Sequence, residues 1–499
     1  MSAPALQIRV ETLEHELHWA HLKIQMLEER WRQHLIKMYG PRSETLSHLQ
    51  LNLLDEEPGV TLDEVEAEAQ REPVTGLPKR ERKPHPGRKP LPENLPRVEQ
   101  VIPCAERNCK SCGAETAVIG YDESEQLDME PAKYFVLVTK REKRACRCCA
   151  QGTVTMPELT PRIVDKGLAS DVIVIQTVVA KYCDHLPLYR QAVMLEREAG
   201  VDIGRATLDG WVMRVGELLA PITHAMRQDL LGASYLQADE TTVPVQMHDK
   251  RGENHQAYLW QYGKPGGETV FEFCLGRGRE GPYKFLGDWE GILQTDGYQA
   301  YDNIGGPKLV QVGCWAHARR RFVDAVKLHP QDAAAMAMVT RMDALFLVDR
   351  HAREQQLSVE QRLALRREHT ASWVEEIHQQ CLALSKTALP KSALGQAVSY
   401  TLNQWAKLRR CFDYADVELS NNLAENSMRP VALGRKNWLH VGSVQAGPKV
   451  AAIVSIIESC RRLGAPVKEY LAAVLPGLNQ RTLSQVANLT PARWSASRS

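Results

Sequence analysis

Two acids stand where strand-forming sequence disfavours them. Asp239 lies inside Tyr235–Val245 (YLQADETTVPV), and Asp296 follows directly on Gly291–Thr295 (GILQT). Carboxylates within β-branched runs are disfavoured unless solvated or paired. If the two strands are neighbours the carboxylates converge. Such a pair can hold two Mg²⁺ (or Mn²⁺) ions ~3.5–4 Å apart, one activating an attacking hydroxyl and the other stabilising a leaving 3′ oxygen. Competing readings stay open: a lone strand aspartate is commonly an edge or turn residue, and Asp296 precedes Gly297 as in a D-G turn.

A second chemistry lies in the cysteines. Six of the 12 cluster as Cys104, Cys109, Cys112, Cys146, Cys148 and Cys149, and 33 residues separate the pairs Cys109–Cys112 and Cys146–Cys149. Two C-x-x-C knuckles supply four thiolates for a closed, structural Zn²⁺ site, as in a zinc ribbon. Cys104 and Cys148 are left over, and either can substitute for a neighbour. Tyr134–Thr139 (YFVLVT) between the knuckles reads as a short ribbon strand. Cys314 and His317 (CWAH) have half-site metal spacing without two further ligands, so a helix start packed near the acids is favoured; His317 is kept as an auxiliary residue at the scissile phosphate.

Downstream, Ser420–Trp438 (SNNLAENSMRPVALGRKNW) carries Glu425, Arg429, Arg435 and Lys436. Asn422 with Glu425 three residues later is also a capping-box start, which is the plain structural account of that glutamate. The cations form a basic rim suited to phosphates, and Arg319–Arg321 form a second basic face; a solvated helix surface is the alternative for both.

These residues need elements to position them. Residues 160–233 read as helices at 168–181, 187–199 and 205–230. Tyr235–Val245, Ala257–Tyr262 and Thr269–Leu275 then read as a meander. A short helix near Pro282–Leu286, the strand Gly291–Thr295, a short helix near Tyr298–Asn303, the strand Leu309–Val312 and a basic helix from Trp315 follow. That order is the order of a ribonuclease-H-like domain, in which the first and fourth strands are neighbours. At the N-terminus Leu6, Val10, Leu13, Leu17, Ala20, Ile24, Leu27 and Trp31 repeat every 3.5 residues over about four heptads. A dimerising coiled coil is expected, although an amphipathic helix on the chain's own core would show the same stripe.

The chain has 499 residues with 62 Lys and Arg against 61 Asp and Glu, and 43% of its residues are hydrophobic. That excludes disorder throughout and gives a prior of about three domains. Near-neutrality hides an asymmetry. Residues 55–72 hold eight carboxylates against one arginine, whereas 79–98 hold seven cations against two glutamates, interleaved with prolines. The second stretch is an extended arm in which Arg88 and Lys89 can track phosphates, or else a solvated linker. No apolar run reaches the ~18 residues of a membrane helix, and no secretory signal is visible, so a cytoplasmic location is expected.

At this point the blocks Gln237–Val245 (QADETTVPV), Leu293–Tyr301 (LQTDGYQAY), Gly313–Phe322 (GCWAHARRRF) and Ser420–Leu439 resemble the DDE transposases of the insertion-sequence-66 family. Leu35–Glu44, Gly87–Val98 and Ala451–Leu478 extend the likeness over nearly the whole chain; His440 departs from it, standing where an aromatic is usual. The resemblance implies a multidomain α/β protein whose ribonuclease-H-like core carries Asp239, Asp296 and Glu425 as Mg²⁺ ligands. It implies Zn²⁺ on Cys109, Cys112, Cys146 and Cys149, and a helical insertion before the glutamate. The expected organisation is a coiled-coil helix (1–50), an acidic then basic arm (51–98), a zinc-ribbon-like domain (99–155), a helical DNA-binding or linking region (156–233), the first part of the core (234–326), the insertion (327–418), the glutamate helix (419–445) and a C-terminal helical element (446–499). The reaction would be hydrolysis at the element's ends, then attack of the freed 3′-hydroxyl on target DNA. Expected partners are double-stranded DNA (terminal repeats and target), a second copy through the coiled coil, and accessory proteins of the same element. A non-catalytic zinc-containing DNA-binding regulator and a nuclease that cuts without joining are the competing readings.

Overall fold

The computed structural model describes residues 3–39, 133–144, 157–247 and 254–498. The six clustered cysteines, Arg88 and Lys89 lie outside those residues. Tyr134–Thr139, expected as a ribbon strand, carries no strand and leaves Val136 87% exposed. A strand needs a ladder, and its expected neighbours lie outside the described residues.

Helix α1 (Ala3–Tyr39) is followed by α2 (Asp171–Tyr182), α3 (Leu188–Ala199) and α4 (Arg205–Leu231). Next come β1 (Tyr235–Val245), β2 (His255–Gly263), β3 (Thr269–Cys274), α5 (Glu280–Leu286), β4 (Ile292–Gln294), β5 (Val310–Val312) and α6 (Trp315–Leu328). Four helices then intervene: α7 (Ala333–Glu354), α8 (Val359–Thr387), α9 (Ala393–Asn403) and α10 (Trp405–Arg409). The chain ends with α11 (Asn422–Trp438), α12 (Ala446–Leu463), α13 (Val467–Val474), α14 (Leu483–Ala487) and α15 (Pro491–Ala496). Where a helix was expected near Tyr298–Asn303, only a 3₁₀ turn, Gln299–Tyr301, forms.

The five strands make one mixed sheet in the order β3-β2-β1-β4-β5. The meander pairs are antiparallel, while β1–β4 and β4–β5 are parallel, so the first and fourth strands are neighbours as expected. Strand side chains alternate between faces. On β1, Leu236 and Ala238 join a core with α2, α4 and α12; Tyr235 joins a second core with α6, α7, α8 and α9. Asp239 shares the parity of Tyr235, which puts it on the face covered by α6 and the inserted helices.

Helix α12 is buried on every side from Val450 to Cys460, the mark of a central helix. It also closes a sheet edge: the Ser455 and Ser459 hydroxyls accept from the Phe271 and Thr269 amides at 2.8 and 2.9 Å, so β3 presents no free edge there. The approach requires Gly447, because a Cβ there would stand 2.3 Å from the Phe273 ring. Segments almost 200 residues apart are thereby fixed together.

Helix α1 rests on this body through a polar contact. Glu29 is buried, hydrogen-bonds His329 after α6, and accepts the Ala393 amide at 2.9 Å. Its apolar stripe points elsewhere: Leu13, Leu17, Ile24, Leu27 and Trp31 are all exposed. Among the described residues no helix is long and apolar enough to cross a membrane.

Candidate active site

The β1–β4 register brings the acids together. Gln237 stands opposite Gln294; two residues further on, Asp239 is still in β1 and Asp296 is in the turn after β4. Both glutamines are buried. Gln237 Nε2 donates to Gln294 Oε1 at 2.8 Å and to the Ser420 carbonyl at 3.1 Å. Gln294 Nε2 donates to the carbonyls of Gly313 and Glu418 at 3.0 and 2.8 Å. The Tyr235 hydroxyl completes the set by donating to Gln294 Oε1. Two buried amides thus tie both acid-bearing strands to the segment that leads into α11. Buried polar groups that find partners specify one arrangement, because an unpaired alternative costs about 1–3 kcal/mol per group.

Asp296 does sit in a D-G turn, and that turn positions it. Its Oδ1 accepts the Tyr298 amide at 2.8 Å, and Gly297 adopts φ +88°. A side chain there would also meet Gln404, 2.7 Å from the added Cβ. The inserted helices hold the turn from outside: the Tyr400 hydroxyl of α9 donates to the Asp296 carbonyl at 2.5 Å. Arg321 lies 4.2 Å over the Tyr400 ring.

Glu425 occupies the first turn of α11. No capping box forms with Asn422, which is helical and exposed; the N-cap is Asn421. Asn421 is fully buried, donates from Nδ2 to the Ala238 carbonyl at 2.9 Å, and donates its backbone N–H to Cys314 Sγ at 3.2 Å. One residue therefore joins the start of α11 to the residue before Asp239 through its side chain and to the start of α6 through its backbone. Burial pushes the Cys314 thiol up to about 12, so this cysteine is a packed, protonated helix-start group.

On α6, Arg320 donates to Glu425 Oε2 at 3.1 Å, and His317 Nε2 lies 3.5 Å from Glu425 Oε1. Burial lowers the His317 pKa, as do Arg320 and Arg321, against the pull of Glu425 and Asp296; at neutral pH the imidazole is uncharged. Burial raises the Asp239 pKa well above the carboxylate range, reinforced by Glu240, Asp296 and Glu425. Asp296 and Glu425 are thus near enough to Asp239 to act on its charge, although among the described residues no three His, Cys, Asp or Glu side chains stand close enough to hold one metal ion. The donor set nonetheless fits a hard divalent cation. It offers carboxylate oxygens, mutual repulsion that a cation would offset, and a Glu425 Oε1 that is buried with no hydrogen-bond partner.

The basic residues divide into two groups. Arg319 pairs with Asp343, Arg320 with Glu425, and Arg435 Nη1 donates to Thr242 Oγ1 at 2.7 Å, tying α11 to β1. Arg429 and Lys436 are exposed on α11.

Sequence reasoning passed over Gln237, Gln294, Asn421 and Tyr400. It also passed over Glu240, whose carboxylate is held by Arg277 at 2.7 Å and by the Tyr301 hydroxyl at 3.1 Å. A signal for the glutamines was present: both strands read Gln-x-Asp, QAD at 237–239 and QTD at 294–296.

Comparison with known proteins places these features in one lineage. Residues 166–449 match the family model described as Transposase IS66 family. Residues 106–150 match the zinc-finger binding domain of transposase IS66, a span that includes both C-x-x-C pairs and leaves Cys104 outside. Residues 26–99 match Transposase C of IS166 homeodomain. Three proteins of Sinorhizobium fredii (strain NBRC 101917 / NGR234) are similar over most of their lengths. Uncharacterized protein y4jD is 32% identical over 81% of this chain and 82% of its own. Uncharacterized protein y4qI is 30% identical over 89% and 84%, and uncharacterized protein y4hP 30% over 95% and 88%.

Proposed function

We propose, from the fact that the chain belongs to the IS66 family of transposases, that it is a DDE-type DNA transposase that cleaves element ends and joins the 3′-hydroxyl to target DNA. The core is read as ribonuclease-H-like. The observation that supports this reading is the β1–β4 register, which sets Asp239 and Asp296 two residues beyond the paired Gln237 and Gln294, together with the Asn421–Ala238 hydrogen bond that ties the start of the Glu425 helix to β1.

In this reading the three carboxylates hold Mg²⁺ (or Mn²⁺), which when bound supplies charge stabilisation to the attacking and leaving oxygens. Glu425 reaches that role from a helix fixed by Asn421, and Arg320 neutralises it meanwhile. His317 is an uncharged auxiliary that orients the Glu425 carboxylate. Arg429 and Lys436 on α11, with Arg88 and Lys89 on the basic arm, contact phosphates; Arg319, Arg320 and Arg435 hold the site that those cations flank. Cys109, Cys112, Cys146 and Cys149 are the Zn²⁺ ligands of the zinc-finger domain.

A second copy pairs through the exposed stripe of α1, and accessory proteins of the same element join the complex on DNA. An exposed run of Leu13, Leu17, Ile24, Leu27 and Trp31 supports that pairing, since such faces are ordinarily covered.

The test is an oligonucleotide assay with element ends. Purified protein is expected to cleave and join in Mg²⁺, and Asp239→Asn to abolish both while binding DNA unchanged. Cleavage without joining would make the protein a nuclease, and binding without either a regulator.

A further inference from the structure

Asp239 and Asp296 are each oriented by one backbone amide. Asp239 Oδ1 accepts the Glu240 N–H at 2.9 Å, and Asp296 Oδ1 accepts the Tyr298 N–H at 2.8 Å. The side chains of those two donor residues are joined by a third residue. Glu240 alternates with Asp239 along β1, so its side chain enters the opposite core, the one that holds Trp260 and Tyr301. There it is 3% exposed, and a carboxylate so buried is costly unless paired. Tyr301 supplies one donor, its hydroxyl at 3.1 Å. Arg277, in the loop between β3 and α5, supplies two: Nε at 3.0 Å and Nη2 at 2.7 Å.

Arg277 carries the connection on to Tyr298. Its guanidinium lies 4.0 Å over the Tyr298 ring, and the Tyr298 hydroxyl donates back to the Arg277 carbonyl at 3.0 Å. Tyr298 and Tyr301 both pack on Trp260, the cross-strand partner of Glu240. The contacts close a circuit from Asp239 through Glu240, Arg277 and Tyr298 to Asp296. The sheet does not set that spacing, because the β1–β4 ladder ends at Gln237 and Gln294, before either acid. On the other side of the turn, Tyr400 and Gln404 hold the carbonyls of Asp296 and Gly297 rather than a carboxylate or the amide that orients it.

We propose that Arg277 is a positioning residue for the two carboxylates: by clamping Glu240 to Tyr298 it fixes the amides that orient Asp239 and Asp296, and with them the spacing offered to a divalent cation. The inference rests on the cation-binding reading of those acids and deepens it. Partners that orient a metal ligand without touching the ion govern metal affinity by about 10–100-fold.

Two readouts on the full-length, DNA-free protein test it: Mn²⁺ binding, and hydrogen exchange of the Tyr298 amide without divalent ions. Arg277→Met should weaken Mn²⁺ binding by about 10–100-fold and speed exchange of that amide. It also leaves the Glu240 charge buried and unpaired, so some stability is lost; replacing both partners relieves that cost. The double variant Arg277→Met with Glu240→Gln should therefore regain the urea midpoint and keep the weakened binding. Arg277→Lys, which keeps a cation against Glu240 and Tyr298, should recover most of the affinity. Wild-type affinity with a protected Tyr298 amide, in a folded Arg277→Met or in the double variant, overturns the inference and leaves the pair a purely structural one. If Asp239→Asn does not weaken Mn²⁺ binding, the cation reading of the acids falls by itself. A Tyr298 amide freed in Arg277→Met would even then uphold the clamp.

Discussion

Gln237 Nε2 donates to Gln294 Oε1 across 2.8 Å, joining β1 to β4 two residues short of Asp239 and Asp296. The register of a short parallel pair is weakly specified by the two apolar pairs, Tyr235–Ile292 and Leu236–Leu293, alone. A buried amide hydrogen bond between the strands disfavours the alternatives, since slipping one strand by one residue would turn its glutamine toward the opposite, apolar core.

Replacing one of these amides tests that role. Gln294→Leu removes the donor to the Gly313 and Glu418 carbonyls and the acceptor of the Tyr235 hydroxyl, and leaves the Gln237 amide with the Ser420 carbonyl but not its cross-strand partner. It is expected to destabilise the core by about 1–3 kcal/mol, seen as a lower urea midpoint. Cleavage should fall further than stability, because the strands that carry the acids lose their lock. A variant with normal stability and normal cleavage would show that the register holds without the amides.

The inserted helices are tied to the Asp296 turn by the Tyr400 hydroxyl and the Gln404 amide. Tyr400→Phe removes the donor to the Asp296 carbonyl and keeps the ring under Arg321. Folding should be nearly unchanged, with a loss of about 0.5–1.5 kcal/mol. Cleavage should drop, with the dependence on Mg²⁺ concentration shifted to higher values, as expected of a residue that positions a ligand. An unchanged Mg²⁺ dependence would assign Tyr400 to packing only.

Acid should release α1. The His329 hydrogen bond, with the Ala393 amide and the His329 charge, outweighs burial and lowers the Glu29 pKa from 4.5 to about 2. A depressed carboxyl pKa contributes stability above its unfolded value, and that stability is lost as pH falls through the folded value. Docking of α1 should therefore be at full strength above pH 4.5 and weaken from there toward pH 2. Amide exchange on α1 reads this directly. Glu29→Gln should expose α1 amides at neutral pH, and the difference from wild type should shrink across that acid window. Equal exchange in both proteins at neutral pH would sink the prediction.

How much of this was legible before the structure depends on the range of the interaction. Helices α2 to α4 and the meander strands fall within a few residues of their expected limits, because apolar periodicity is a local signal. The short helix expected at Tyr298–Asn303 shrinks to a 3₁₀ turn, since Asp296 and Gly297 take its start for their own turn. The capping box expected at Asn422 fails for a long-range reason: Asn421 is drawn to Ala238 and becomes the cap residue instead.

The sequence by itself determined the acids, the paired cysteines, the basic residues and the order of the elements, because each is written in neighbouring residues. Tertiary structure alone decided which of them lie near one another. The helix that carries Glu425 is tied to the strand that carries Asp239 by Asn421, which reaches the Ala238 carbonyl 183 residues away in the chain. Arg320 and Arg435 read as phosphate contacts in one dimension, and in three they also contact Glu425 and Thr242. A buried hydrogen bond is specified by both of its ends at once, and one segment of sequence holds only one end.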